Sequence, residues 1–372
     1  MTTRVSVDID LDYEPQFPER RDYGIGLIGA GFIVRDVELV AYRNAGFRVV
    51  AIASRTAAKA EEVARVRSIP KVHRHWKELL ADPEVEIVDI TFPPDQHLEI
   101  VREACRHNDH IRGILCQKPL GMNYEEGQEM VRLCREAGVV LSVNSNMRYD
   151  QSIRSLKTLL DKGELGEPVL ATIEMRAVPN WQPFLPEYNR LTLLNISIHH
   201  LDTFRYLFGD PERVFVSARQ DPRTTFSHRD GIVLYVMEYE SGFRAAGWDD
   251  VWAGPSQGTV PDTFIRWRVE GTEGYAKGEV GWPKYPIPTP STLEWSSRRH
   301  PGTLFQPRWN RLWFPDAFEG TMAQLLRAVE TGTEPEISGI DNLQTMALVD
   351  ACYRSLDQGR PVRIDEITGT DS

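Results

Sequence analysis

Four cysteines in 372 residues are too few to staple a fold. Cys105, Cys116, Cys134 and Cys352 make no Cys-x-x-Cys pair, and each falls in a helix- or strand-like stretch. A disulfide framework is excluded; reduced, buried thiols in a cytoplasmic protein are expected. No run of about 18 apolar residues occurs, so no membrane-spanning helix is expected. Positive charge is scarce as well. Lys and Arg total 43 against 54 Asp and Glu, a formal net charge of −11. Without a basic block, the chain lacks the electrostatic footprint of a nucleic-acid or anionic-lipid binder. The acidic first 22 residues lack the apolar core of a secretory signal and read as an extension, loose or draped over the surface. No His, Cys, Asp and Glu cluster has metal-ligand spacing, so no metal is expected. The length suits two domains, and the 26% of charged residues is that of a soluble globular protein.

Residues 23–145 alternate strands and helices. Apolar runs at 23–28, 48–53, 86–91, 112–116 and 139–143 read as strands, with helices at 32–44, 56–67, 95–107 and 123–137 between them. Runs that are apolar throughout, rather than alternating, indicate a parallel sheet covered on both faces by crossover helices. After Asn146 one helix (153–162) is followed by strands at 168–177, 213–220, 231–239, 243–249, 264–270 and 275–278. A Pro- and Trp-rich stretch spans about residues 282–315, and two amphipathic helices (316–330 and 342–357) follow. The expected fold class is α/β plus α+β: an N-terminal Rossmann domain with a doubly wound parallel sheet (23–145), then a domain on an open, mostly antiparallel sheet (146–372), assigned to substrate binding and oligomerisation.

Gly29-Ala30-Gly31-Phe32-Ile33-Val34 joins the first strand to the first helix. In a Gly-x-Gly-x-x-Gly turn the first glycine makes the tight bend and the second admits a pyrophosphate, which sits on the helix N-terminus. Gly29, Gly31, Phe32 and Ile33 are the expected cradle; Val34 at the third glycine position loosens or shifts the helix packing. The second strand ends without the Asp or Glu that would hold the ribose 2′-OH of NAD. Ser54, Arg55 and Lys59 supply donors and positive charge instead, which tilts the choice between NAD and NADP towards NADP. Alternatively Arg55 stacks on adenine and both bind.

Leu115-Cys116-Gln117-Lys118-Pro119 ends the fourth strand, and ligands of open α/β sheets lie beyond such ends. Ile28–Ile33, Thr91-Phe92-Pro93-Pro94 with His97, Gln117-Lys118-Pro119 and Gly163-Glu164-Leu165-Gly166-Glu167-Pro168 together resemble the Gfo/Idh/MocA family of NAD(P)-dependent oxidoreductases, across roughly residues 23–365. The resemblance places Lys118 beside nicotinamide and substrate, and Thr91, His97 and Gln117 on the cofactor side. Gln117 stands where the family usually has Glu.

Asn195-Ile196-Ser197-Ile198-His199-His200-Leu201-Asp202 resembles the family's Asp-x-Gly-x-His-x-x-Asp, with Asn195 at the usual Asp. At about 100° per residue, Asn195, His199, Asp202 and Tyr206 fall on one polar stripe of a mostly apolar helix, as if lining a cavity. The resemblance makes His199 the acceptor of the substrate hydroxyl proton, with Asn195 and Asp202 in support. His200 falls in the apolar arc and is expected in the core or at an interface.

Seven of the nine tryptophans lie between 248 and 313, and most are expected to cover the outer sheet face at an interface between copies, as a homodimer or homotetramer. The substrate candidates are Asn146, Arg148, Tyr149, Trp181, Tyr188 and Arg190. The leading expectation is an enzyme moving a hydride between nicotinamide and a hydroxyl or keto carbon of a sugar, glycoside or cyclitol. The alternatives are a redox-assisted glycoside lyase or hydrolase with recycled cofactor and, last, a non-enzymatic cofactor-binding regulator.

Overall fold

The computed structural model describes residues 3–5, 11–177, 184–251, 263–282 and 287–369. Contacts divide the chain into two compact units: Met1–Glu14 with Asp150–Trp313 and Ala347–Ser372, and Pro15–Tyr149 with Phe314–Met346. β1 (Thr3–Val5) belongs to the first of these, the mixed-sheet unit.

The next six strands form the sheet of the second, parallel-sheet unit. They are β2 (Ile25–Ile28), β3 (Val49–Ala53), β4 (Lys71–His73), β5 (Ile87–Ile90), β6 (Gly113–Cys116) and β7 (Val140–Val143), in the order β4-β3-β2-β5-β6-β7, every pair parallel. β2, β5 and β6 are buried at every residue, as strands covered on both faces must be. The order reverses between β2 and β5, so the crevice for a ligand lies at their carboxyl ends. The crossovers are α1 (Leu39–Ala45), α2 (Ala57–Arg67), α3 (Trp76–Leu80), α4 (His97–Ala104) and α5 (Tyr124–Ala137). In α5 the Asn123 side chain caps the first turn on the Glu126 N–H, Tyr124, Gly127, Met130 and Cys134 form the buried face, and Gly138 at φ +68° ends it. β4 and α3 escape sequence reading because β4 is only half-buried and α3, at five residues, is too short to show a period.

Residues 314–346, read from sequence as part of the second domain, cluster with the parallel sheet. The helix Ala317–Thr331 packs on β6 and β7, where a Cβ at Gly113 would come within 3.0 Å of Leu325 and Val329. Beyond it, the Val143 N–H donates to the Ile337 carbonyl at 2.8 Å and so covers the β7 edge.

Among the described residues the mixed-sheet unit holds ten strands in the order β1-β15-β14-β13-β12-β8-β11-β10-β9-β16. They are β8 (Pro168–Arg176), β9 (Arg213–Arg219), β10 (Ile232–Glu238), β11 (Arg244–Asp250), β12 (Phe264–Gly271), β13 (Gly274–Glu279), β14 (Thr292–Ser297), β15 (Thr303–Phe305) and β16 (Val362–Arg363). Only the β1–β15 and β8–β11 pairs are parallel. The helices α6 (Gln151–Asp161) and α7 (Ile198–Phe208) belong to this unit. β14 and β15 lie in the Pro- and Trp-rich stretch of about residues 282–315. Thr-Leu-Glu-Trp-Ser-Ser does alternate, burying Leu293, Trp295 and Ser297, and Trp295 stacks on Phe305 with centroids 4.1 Å apart.

The tryptophan expectation needs correction. Trp267, Trp295, Trp309 and Trp313 are buried inside the chain, Trp248 and Trp282 are part-buried, and Trp252 lies outside the described residues. The four buried rings are covered within the chain before any partner is considered, while part-buried Trp248 lies on the face that also carries Phe215, Leu234 and Val236. The N-terminal extension is draped rather than loose where described: Leu11 is buried, its carbonyl accepts from Thr158 Oγ1 at 2.6 Å, and Tyr13 meets Trp309 edge-on. Among the described residues no helix is long and apolar enough to cross a membrane.

Candidate active site

Gly29 has φ +139°, and a Cβ there would lie 1.9 Å from Thr91 Oγ1. Thr91 in turn donates to the Ile28 carbonyl at 2.8 Å, so it braces the bend. Gly31 is exposed, and a Cβ there meets nothing within 4 Å; Phe32 and Ile33 beside it are part-exposed. The helix begins as a π-helical stretch, Ile33–Glu38, with Val34 buried. A widened first turn is how the chain seats a valine where a third glycine would let helix and strand close up. Open space over Gly31, beside the N–H groups that a helix start leaves unpaired, fits a pyrophosphate. Past the end of β3, Ser54 is part-exposed and Arg55 and Lys59 are exposed.

Lys118 follows β6, and burial pulls its ammonium down to about 8. Its bond to Pro119 is cis. Behind it His97 is fully buried. Its Nε2 lies 2.8 Å from the Phe92 carbonyl and its Nδ1 2.9 Å from the Leu120 carbonyl. Burial holds His97 below its usual value, and the neutral ring carries a single N–H: with that proton on Nε2 it donates to the Phe92 carbonyl, and Nδ1 accepts from the Cys116 thiol at 3.2 Å. Gln117 is part-exposed and gives its NH₂ to Glu38 Oε1 at 2.5 Å; Asn144 donates to the same oxygen at 3.1 Å. Asp89 on β5, also fully buried, accepts from the Tyr42 hydroxyl at 2.6 Å. Sequence reasoning missed Glu38, Asp89 and Asn144. The one legible signal was Asp89, a lone acid inside an apolar strand.

Asn146, Arg148 and Tyr149 leave β7 in a buried 3-10 turn. Arg148 donates to the Glu336 carbonyl at 3.0 Å and to Asp341 at 2.6 Å. Tyr149 lies so close to Gly320 that a Cβ there would come within 2.3 Å of its ring. Asn146 Nδ2 donates to the Asn144 carbonyl at 3.2 Å.

In the mixed-sheet unit, α7 is preceded by a second π-helical stretch, Leu193–Ser197. The Asp230 carboxylate accepts from the Leu191 and Leu193 N–H groups, both at 2.9 Å, and from the Tyr353 hydroxyl at 2.7 Å, which fixes where that stretch starts. His200 is in the core, as its place on the wheel implied: its Nδ1 is 3.0 Å from Asp249 Oδ1, and Ser197 Oγ donates to Asp249 Oδ2. These contacts pin the helix to β11 and leave His199 part-exposed, edge-on to Trp313 at 6.2 Å, with Trp282 beyond at 6.4 Å from Trp313. The expected stripe divides. Asn195 and Asp202 are buried, while Tyr206 lies half-buried under Arg154 and Lys157. Steps of 100° hold only for α-helix, and Asn195 sits in the wider π segment. Arg190 pairs with Asp350 and covers the Tyr353 ring at 4.1 Å; Tyr188 packs on Phe184. Trp181 lies outside the described residues. Among the described residues no three His, Cys, Asp or Glu side chains gather as metal ligands do.

Residues 23–145 match the model of an oxidoreductase family with an NAD-binding Rossmann fold, and residues 157–364 match that family's C-terminal alpha/beta domain. The chain belongs to the Gfo/Idh/MocA oxidoreductase family. Among its Gfo/Idh/MocA relatives, a D-apiose dehydrogenase of Paraburkholderia graminis is 26% identical, over 92% of this chain and 89% of that one. A 1,5-anhydro-D-fructose reductase of Ensifer adhaerens is 28% identical over 91% and 98%. An oxidoreductase from Agrobacterium radiobacter, solved in complex with NAD+, L-tartaric acid and magnesium, superposes with a TM-score of 0.77 at 25% identity, covering 92% of this chain and 99% of its own.

Proposed function

We propose that this oxidoreductase moves a hydride between NAD(P) and a hydroxyl or keto carbon of a sugar, glycoside or cyclitol. The observation that carries the reading is Lys118, drawn to about 8 by burial at the carboxyl end of a sheet whose glycine turn stands open. The sugar dehydrogenase and reductase among its relatives support the substrate class. Bound nicotinamide supplies or accepts the hydride. His199 takes the hydroxyl proton during oxidation, and the Lys118 ammonium steadies the developing alkoxide. Asn195 and Asp202 support the histidine helix. Asn146, Arg148, Tyr149, Trp181, Tyr188 and Arg190 are the substrate-side candidates, Arg148 and Arg190 acting through the carboxylates that already hold them. Thr91, His97 and Gln117 shape the cofactor side. We place the enzyme in the cytoplasm as a homo-oligomer. Phe215, Leu234 and Val236 lie exposed on one face of the mixed sheet, Phe215 directly opposite Val236, which supports a second copy there.

Gly31→Asp tests the cradle. A Cβ at position 31 meets no atom of the protein within 4 Å, so the variant should fold, yet it sets a negative charge where the pyrophosphate binds. NAD(P) affinity by titration calorimetry should fall at least tenfold, the equivalent of about 1.4 kcal/mol. Unchanged affinity in the folded variant removes this reading.

Arg55→Ala tests the cofactor preference. A charge-assisted hydrogen bond to a 2′-phosphate contributes roughly 1.5–3 kcal/mol, so NADP affinity should drop about tenfold or more and NAD affinity little. Equal losses would place Arg55 on adenine and withdraw the preference.

A further inference from the structure

We propose that Glu38 is a positioning residue that turns the Gln117 amide carbonyl-outward, towards the carboxamide of a bound nicotinamide. The proposal rests on the cofactor reading above. It starts from a buried acid with no cation. Glu38 is fully buried at the end of the π-helical stretch, and its Oε1 accepts from Gln117, just after β6, and from Asn144, just after β7. One carboxyl therefore ties together the carboxyl ends of two neighbouring strands. Among the described residues its second oxygen, Oε2, has no hydrogen-bond partner, and neither has Asp89 Oδ1. Two charged carboxylates without a counter-ion in such a place would cost several kcal/mol each. A proton shared by the pair leaves one charge in place of two and so lowers that cost. Burial and the charge of Asp89 push Glu38 well above the usual carboxyl range, and burial brings Asp89 to about 7. A protonated Glu38 still offers Oε1 as an acceptor and gains a donor at Oε2.

The consequence falls on Gln117. A glutamine amide can present either end, but Glu38 accepts and so takes the NH₂ end. The carbonyl is left on a part-exposed side chain beside Lys118. An outward carbonyl recognises an N–H donor, and the carboxamide of nicotinamide supplies one. The π-helical turn contributes too, since Glu38 closes it while lying buried against the sheet.

The test compares binding of NAD+ with that of ADP-ribose, which lacks nicotinamide (or their 2′-phosphorylated forms). Glu38→Leu and Gln117→Met should each weaken NAD+ by about tenfold and leave ADP-ribose nearly unchanged, as expected for one oriented hydrogen bond. The double variant should be no worse than either single one, because Glu38 acts through Gln117. Glu38→Gln, a neutral isostere that still accepts from Gln117, should bind NAD+ almost as wild type does. Additive losses, equal losses for both ligands, or a Glu38→Gln variant as weak as Gln117→Met would overturn the proposal. If Glu38→Leu does not fold, the contrast between Glu38→Gln and Gln117→Met decides alone. Wild-type protein that binds neither ligand would overturn the cofactor reading instead.

Discussion

His199→Ala should lower the turnover number by about 10²–10⁴-fold, the usual contribution of a general acid–base group. Cofactor affinity should survive, because α7 does not depend on this side chain for its place. Asp230 fixes the start of the preceding π stretch, and His200 with Ser197 pins the helix to Asp249. The ring that is removed meets the edge of Trp313 with centroids 6.2 Å apart. The pH profile is the second readout. A base must be neutral to accept a proton, so wild-type oxidation should fail on the acidic side, and the residual activity of the variant should lose that limb. Near-normal turnover in folded His199→Ala would remove the assignment and point to Tyr149 or Asp202.

Lys118→Met should cost about 10²–10³-fold in turnover, the range found when one donor to a developing oxyanion is removed. Its pH dependence follows from burial. The ammonium is pulled from 10.5 to about 8, so the charged form predominates below that value and is lost above it. Wild-type oxidation should therefore decline as pH rises through about 8. Lys118→Arg keeps its charge throughout and should abolish that basic limb, whatever it does to the maximum. A basic limb that persists unchanged in Lys118→Arg belongs to another group. Combining Lys118→Met with His199→Ala should cost little more than either alone, since groups that serve one transition state are not additive.

The parts of this enzyme that were legible in the sequence are those set by burial on both faces of a sheet. The runs at β2 and β6 carry no charged residue and β5 carries one, Asp89, and Gly29 is required by its backbone angle and by Thr91. What escaped depends on atoms far apart in the chain. Glu38 reads as one more acid in a helix until the fold brings Gln117 and Asn144 to it, 79 and 106 residues on. On the polar stripe, His199, Asp202 and Tyr206 share the regular α7, and Asn195 alone sits in a π segment, which composition cannot distinguish from α-helix. Prolines and tryptophans around Thr292–Ser297 masked a strand whose own alternation was present. The tryptophans were misplaced because an aromatic residue on a strand reads the same whether it faces its own core or a partner.

The claim at the centre of this account is net hydride transfer from a carbohydrate carbon to nicotinamide. The direct measurement incubates the enzyme with NAD+ or NADP+ and each of a panel of sugars, glycosides and cyclitols, and counts reduced cofactor against carbonyl product. The account predicts that at least one polyol yields one reduced nicotinamide per oxidised carbon. Consumption of a glycoside with no net cofactor reduction would contradict it, as would an enzyme that binds the cofactor and reduces it with no member of the panel.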